Sequence, residues 1–151
     1  MKRPHFLILG AWLLHAAAWF LPVVKGGDTL PTGLPGWQAF RVASSAVWPY
    51  EGVEFDKWYG AVLATISAVT TLLFLSGSPC VVLTGSRPVW RVSAWVAATA
   101  FIVNAHWYVL FGPDRADLRI GYYFWWFSFV ALAIGLFDLA GPRRADESAK
   151  S

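Results

Sequence analysis

Residues 121–140 read GYYFWWFSFVALAIGLFDLA, a run of twenty residues in which Asp138 is the only charged side chain. A helix needs about 20 mostly apolar residues to cross the ~30 Å hydrocarbon core of a bilayer. Three further runs of the same character precede it, at 6–24, 59–76 and 92–111, and none of them contains Asp, Glu, Lys or Arg. The sequence therefore predicts four transmembrane helices.

Composition agrees with a membrane protein. Of the 151 residues, 57% are hydrophobic and 14% are charged, and the polar residues are concentrated between the runs. A soluble helical domain would instead alternate polar and apolar faces along each helix. The single cysteine, Cys80, excludes an intrachain disulfide and any metal or redox motif with two thiols. We predict an all-α integral membrane protein with one domain over 1–151, built as a four-transmembrane-helix bundle.

The distribution of Lys and Arg predicts an orientation. With four crossings, the N-terminus, the loop 77–91 and the tail 142–151 share one side and carry seven of the basic residues. The loops 25–58 and 112–120 carry the other five. Because Lys and Arg favour the cytoplasmic side, both termini are predicted to be cytoplasmic in the plasma (inner) membrane. The first apolar run continues past Ala16–Ala18, so we expect an uncleaved first span rather than a signal peptide.

The outer loop 25–58 contains a short amphipathic segment. At 100° per residue, Trp37, Phe40 and Trp48 lie on one broad apolar face. Such a helix is suited to lying flat at the outer interface. Pro49 ends it, and the following Glu51, Glu54 and Asp56 form a solvated acidic rim. The loop 77–91 is predicted as a compact cytoplasmic connection, and the tail 142–151 as disordered.

Small residues predict where the helices pack. Gly60, Ala64 and Ala68 lie four residues apart on span two, and Ala97 lies on a similar stripe of span three. Close approach of backbones at small residues is a main source of helix association in lipid. Short connections make spans two and three, and spans three and four, antiparallel neighbours. We therefore predict that spans two and three form the packing core.

Two polar residues within the spans are expected to stabilise the bundle. Asn104 lies on the small-residue stripe and is predicted to form an interhelical hydrogen bond worth about 1 kcal/mol. Asp138 lies at the cytoplasmic boundary of span four, where Arg91 lies at the end of span three. The prediction is an interfacial ion pair between them, which would hold these two spans together.

Aromatic residues cluster at the outer ends of spans three and four. Trp and Tyr gather where lipid meets water, because their rings are apolar and their N–H or O–H needs a partner. The cluster is predicted to anchor the spans in the outer leaflet, or to form a surface for a lipid, a quinone or a partner helix. Its members are Trp107, Tyr108, Tyr122, Tyr123, Trp125 and Trp126.

Two histidines lie within predicted spans. His15 is near the midplane of span one, where we expect its imidazole to bond to a Ser, a Thr or a carbonyl group. The alternative is a cofactor-binding pair of His15 and His106, which would serve a haem or a quinone. The two depths differ by about 7 Å at 1.5 Å per residue, which is awkward for two axial ligands of one iron.

The motifs of enzymes are absent from the chain, which has no nucleophile elbow, P-loop, dinucleotide fingerprint or HExxH. We therefore predict no catalytic residue, no metal and no cofactor. The function expected is that of a non-enzymatic accessory, assembly or interaction subunit. Its partners would be the lipid bilayer and another membrane protein or a second copy, and not nucleic acid, because the basic residues form no stripe. The alternatives are a small carrier or redox subunit that uses His15 and His106, and a homo-oligomeric pore.

Overall fold

The computed structural model describes residues 3–26, 33–50, 52, 55 and 57–141. The predicted acidic rim at Glu51, Glu54 and Asp56 and the tail 142–151 lie outside the described residues. Two 3₁₀ turns, Ser44–Ala46 and Gly112–Asp117, and a π-helical turn, Leu73–Gly77, join the main elements. Those elements are α1 (Arg3–Phe20), β1 (Pro22–Val24), β2 (Leu34–Pro35), α2 (Gly36–Ala43), α3 (Trp58–Leu72), α4 (Ser78–Thr84), α5 (Arg87–Asn104), α6 (His106–Leu110) and α7 (Ile120–Ala140).

Three helical stretches in the described part of the chain are long and apolar enough to cross a membrane. They are Trp58–Thr84, Arg87–Leu110 and Ile120–Ala140, with 27, 24 and 21 residues. The shortest of them rises about 32 Å, which matches the hydrocarbon core of a bilayer. The chain is therefore a helical membrane protein, with α1 outside this group of three.

The first predicted span is shorter than expected. The run 6–24 was expected to be one helix, but α1 ends at Phe20 and Pro22–Val24 forms a strand. Pro22 lacks a backbone N–H, and its ring disfavours the helical conformation at Leu21. The apolar run extends past the end of the helix, and its last residues, Val23 and Val24, belong to a different hydrophobic cluster.

The prediction of a loop over 77–91 is wrong. The second spanning helix continues from α3 through the π-helical turn into α4 and ends only at Thr84. Gly85 and Ser86 are the whole connection to α5. Pro79 removes one backbone donor, and the hydroxyl of Ser78 donates instead to the carbonyl oxygen of Phe74 at 2.6 Å. Side chains of this kind allow a proline to be tolerated inside a spanning helix. The third span likewise begins at Arg87 rather than at 92.

The packing core is centred on α7, which contacts α1 along one side and α5 along the other. Ile8, Phe129 and Leu136 are among its most buried side chains. Gly135 lets the helices approach, because an added Cβ there would lie 2.7 Å from Cγ1 of Ile8. The prediction that spans two and three form the core is therefore wrong. Contacts between α3 and α5 are sparse.

The small residues of α3 face α2 instead. Ala64 and Ala68 are buried in one cluster with Ala43, the last residue of α2. The amphipathic segment predicted at 37–48 is helical over Gly36–Ala43, and it packs on α3 through part of the face that we expected to lie on lipid. A helix this short gains its stability from such packing rather than from intrinsic propensity.

A small sheet joins the α1–α2 connection to the α6–α7 connection at one end of the molecule, which we call the sheet end. β1 pairs with β2 in antiparallel fashion, and Val24 forms a bridge to Leu118. The N–H of Lys25 donates to the carbonyl of Asp117 at 2.7 Å, and that of Arg119 donates to the carbonyl of Val23 at 2.9 Å. The fold is mainly helical, as expected, and this small sheet is the exception, because these connections satisfy their backbone groups by pairing with one another.

Candidate functional site

A cavity of about 270 Å³ lies at the sheet end, lined by residues of α1, α2, α3, α6, α7 and the small sheet. Its walls are almost entirely apolar. The large side chains that line it are Trp19, Val23, Val24, Leu34, Phe40, Val42, Trp107, Phe111, Leu118, Tyr122 and Trp125.

Small residues create this space. Ala18, Ala39 and Ala68 line the cavity from three different helices, and each leaves the volume that a larger side chain would fill. Gly36 brings the start of α2 against the last turn of α1, since an added Cβ would overlap the carbonyl of Ala18. On the other side, an added Cβ at Gly121 would lie 2.7 Å from the carbonyl oxygen of Leu21. The backbones at the edges of the cavity are thus in close contact, while the alanine side chains leave the space between the large lining residues unfilled.

One end of the cavity carries hydroxyl groups that are already paired. Ser67 donates to Oδ1 of Asn104 at 2.7 Å and accepts the indole N–H of Trp107 at 3.0 Å. Thr71 accepts the indole N–H of Trp125 at 2.9 Å. Buried polar groups are costly without partners, and these have theirs within the protein. The hydroxyl groups of Ser67 and Thr71 are thus engaged within the protein.

The arrangement suits a hydrocarbon and not a polar molecule. A dry cavity of about 150 Å³ with apolar walls is large enough to bind benzene. A cavity of about 270 Å³ has room for several methylene groups. Among the described residues, there is no group of three or more His, Cys, Asp or Glu side chains with the geometry to hold a metal ion.

Asn104 forms the interhelical hydrogen bonds that were expected of it. Its amide nitrogen donates to Oγ1 of Thr70 at 3.0 Å, in addition to the bond from Ser67. Its backbone carbonyl accepts from the hydroxyl of Tyr122 at 3.3 Å. Asn104 is fully buried and thereby connects α5 to both α3 and α7.

His15 has the kind of partner that was expected, and the partner is Ser128. Nδ1 of His15 lies 2.9 Å from Oγ of Ser128, and that hydroxyl donates to the carbonyl of Trp125 at 2.6 Å. The hydroxyl proton is therefore used, so Nδ1 is assigned as the donor to Ser128. The imidazole is fully buried and stacks on Phe74, with ring centroids 4.0 Å apart.

His106 occupies a different level of the bundle. Its Nδ1 lies 2.8 Å from the carbonyl of Val103 on the same helix, and its ring packs on Trp107. His106 lies two residues after Asn104, whose backbone carbonyl contacts Tyr122 on α7. His15 instead contacts Ser128, which lies six residues further along α7, a rise of about 9 Å. The two histidines are thus held separately, and the geometry does not favour a shared cofactor.

The predicted outer aromatic girdle is largely turned inward. The indole N–H groups of Trp107, Trp125 and Trp126 donate to Ser67, Thr71 and the carbonyl of Phe101. These side chains were expected to face lipid, but their polar atoms find partners between helices. Tyr122 is buried, Tyr123 packs edge-on against it, and Tyr108 lies between Trp126 and the guanidinium of Arg115.

The aromatic residues of the 33–50 segment divide into two groups. Phe40 packs on Trp19 and lines the cavity, whereas Trp37 and Trp48 are exposed. The guanidinium of Arg41 lies 4.1 Å from the ring centroid of Trp48 and donates to the carbonyl of the same residue. The exposed indoles are therefore held on the outer side of α2, away from the cavity.

The remaining residues predicted for helix packing differ in their environments. Ala97 is buried against α7, and Gly60 has only Phe55 within contact distance of an added Cβ. Asp138 pairs with Arg3, its carboxylate 3.6 Å from Nε, and not with Arg91, which is exposed. The start of α1 and the end of α7 meet at this point because the two helices run antiparallel along their full contact.

Several residues of the site were not singled out from sequence. Phe74 and Ala18 carry no signal of their own, since an apolar residue in a span is expected anywhere. Ser128 could have been identified from the sequence, because it is the only Ser or Thr within 121–140.

A comparison of the chain with protein-family models, with curated proteins and with solved structures finds no match.

Proposed function

We propose that the protein is a non-enzymatic integral membrane protein that binds the hydrocarbon chain of a lipid in the sheet-end cavity. One observation carries this proposal: the cavity has apolar and aromatic walls, and the hydroxyl groups of Ser67 and Thr71 at its end are paired within the protein. Because the surrounding lipid is as apolar as the cavity wall, a chain bound there is stabilised by close packing against the aliphatic and aromatic side chains rather than by removal from water. An acyl chain and an isoprenoid chain share this chemistry.

We further propose that α1 is a fourth crossing, with both termini in the cytoplasm of the cell that makes the protein. The support is its extensive contact with α7 and the burial of Ile8, Ala11, His15 and Ala18 on one face. Its 18 residues rise about 27 Å, close to the thickness of a thin bilayer. The excess of Lys and Arg on the N-terminal side favours the plasma (inner) membrane orientation given above.

In this arrangement the sheet end lies at the outer leaflet, and the exposed Trp37 and Trp48 lie at the lipid–water interface. A lipid chain would enter from the leaflet beside α2. The same outer surface presents exposed Trp side chains, a residue type enriched in interfaces between proteins. The partner we propose is accordingly another membrane protein or a second copy of the chain.

The test is the lipid that remains bound after purification of the full chain in a mild detergent. Mass spectrometry of the extracted ligand distinguishes acyl lipids from isoprenoid quinones. The variant Ala39→Phe introduces a ring into the cavity, while Ala46→Phe introduces the same ring on an exposed position of the adjacent 3₁₀ turn.

We expect a stoichiometric chain-bearing lipid in the wild type and in Ala46→Phe, and a severalfold loss in Ala39→Phe. Equal retention by all three proteins would contradict the proposal, as would a wild-type protein that is free of bound lipid in every detergent tried. If the ligand is an isoprenoid quinone, the proposed site is supported. A redox subunit is then again a candidate function, but one that does not depend on His15 and His106.

A further inference from the structure

A second cavity, of about 160 Å³, follows the first along the inside of α3 and α4. Its walls include Leu73, Phe74 and Val81 on one side and Ala97, Phe129 and Leu132 on the other. From Thr70 to Val81 the helix rises about 16 Å, so this cavity is elongated along the bundle axis. This second cavity exists because α3 and α4 make few contacts with α5.

The linings of the two cavities have no residue in common, and a layer of aromatic rings lies where the two approach each other. Thr71 and Trp125 line the first cavity, and Phe74 and Phe129, one turn further along the same two helices, line the second. The rings of Phe74 and Phe129 meet edge to face at 5.3 Å between centroids. His15 packs against both rings: its imidazole stacks on Phe74 at 4.0 Å between centroids and meets Phe129 edge-on at 5.8 Å.

Phe74 is the member of this layer that belongs to a locally irregular segment. It lies in the π-helical turn Leu73–Gly77 and is 4% exposed. Isolated π-helical turns inside α-helices occur frequently at functional sites. Hydrogen bonds fix the chain on both sides of it, from Trp125 to Thr71 and from Trp12 to Ser78. The indole of Trp125 reaches Thr71 on the side of the first cavity, and the ring of Phe74 meets that of Phe129 on the side of the second.

We propose that the layer of His15, Phe74 and Phe129 determines the length of the hydrocarbon chain that the protein accepts. A chain in the first cavity ends at this layer, and the second cavity stays unreached behind it. This inference rests on the proposed function, because it names the specificity determinant of the same site. Removal of the Phe74 ring joins the cavities and lets a longer chain extend toward Leu132.

The experiment measures the binding of saturated fatty acids of increasing length, from octanoate through laurate to stearate, to the delipidated full chain. From water, each further buried methylene raises the affinity about fourfold. In detergent the gain is smaller, because the micelle also shelters the chain, so the readout is the length at which affinity stops rising. The variants are Phe74→Ala and Phe74→Leu, with Leu75→Ala as the control.

We expect the affinity of the wild type and of Leu75→Ala to stop rising at the same length, and that of Phe74→Ala to rise to a longer one. Leu75 belongs to the same π-helical turn but is exposed and lines neither cavity, so it reports any general loosening. Phe74→Leu keeps much of the volume and should shift the limit by less. It also provides the comparison if the alanine variant unfolds.

The outcomes separate this inference from the proposed function. If the wild type binds no fatty acid of any length, the proposed function fails. If the wild type binds fatty acids and neither Phe74 variant changes the limiting length, the site stands and the aromatic layer is not its specificity determinant.

Discussion

The hydroxyl of Ser67 on α3 donates to Oδ1 of Asn104 on α5 across 2.7 Å, and both side chains are buried. The same hydroxyl oxygen accepts the indole N–H of Trp107, and the amide nitrogen of Asn104 reaches Thr70. Since Ala64 and Ala68 pack on α2 rather than on α5, these polar contacts are a principal connection between α3 and the rest of the bundle.

The first prediction concerns this connection. Asn104→Leu has similar volume but removes both side-chain hydrogen bonds, and we expect a loss of about 1–2 kcal/mol in the free energy of unfolding. The measurement is unfolding in mixed micelles with increasing dodecyl sulfate. Thr65→Val is the control, because the hydroxyl of Thr65 bonds only to the carbonyl of Ala61 in its own helix. Equal stability of the two variants would contradict the role assigned to Asn104.

The second prediction concerns His15. Ser128→Ala removes the partner of Nδ1 and leaves a buried donor unpaired, which should cost about 1–3 kcal/mol of stability. The double variant His15→Phe with Ser128→Ala should recover most of that loss, since a phenyl ring keeps the stacking on Phe74 and has no donor to satisfy. Additive losses in the double variant would show that the hydrogen bond is not the source of the effect.

The third prediction tests the contact between α1 and α7. Gly135→Leu forces a side chain into Ile8, so we expect overpacking to cost about 1–3 kcal/mol and to lower the folded yield in detergent. Gly10→Leu on α1 is the matched control, since an added Cβ there meets nothing within 4 Å. Size-exclusion chromatography reports the fraction of each variant that remains monodisperse. A well-folded Gly135→Leu would mean that the two helices are further apart than described.

The fourth prediction tests the orientation. Single cysteines at Ser86, between α4 and α5, and at Ala116, in the 3₁₀ turn at the sheet end, are introduced in a Cys80→Ser background. Both positions are exposed. A membrane-impermeant thiol reagent should label Ala116→Cys in intact cells and label Ser86→Cys only after permeabilisation. The opposite pattern would invert the topology, and labelling of both in intact cells would exclude α5 as a crossing.

The sequence by itself determined the class of protein. Long runs without charges, such as 59–76, have no stable conformation in lipid except a helix, because only a helix satisfies every backbone group within one segment. The sequence also identified Asn104 and His15 as side chains that need partners, since an unpaired polar group in an apolar interior is costly. Both requirements are local, and they hold whatever the neighbouring helix is.

The tertiary structure decided which partners those side chains have. Ser67 and Thr70 are the partners of Asn104, and Ser128 is the partner of His15. Arg3 rather than Arg91 pairs with Asp138, because the start of α1 meets the end of α7. Small residues at 64 and 68 predicted a contact face but not the identity of the opposing helix. The cavity, too, arises only where Ala18, Ala39 and Ala68 converge, which no single stretch of sequence encodes. Periodicity determines which side of a helix is suited to packing, whereas shape complementarity among all the helices selects its neighbour.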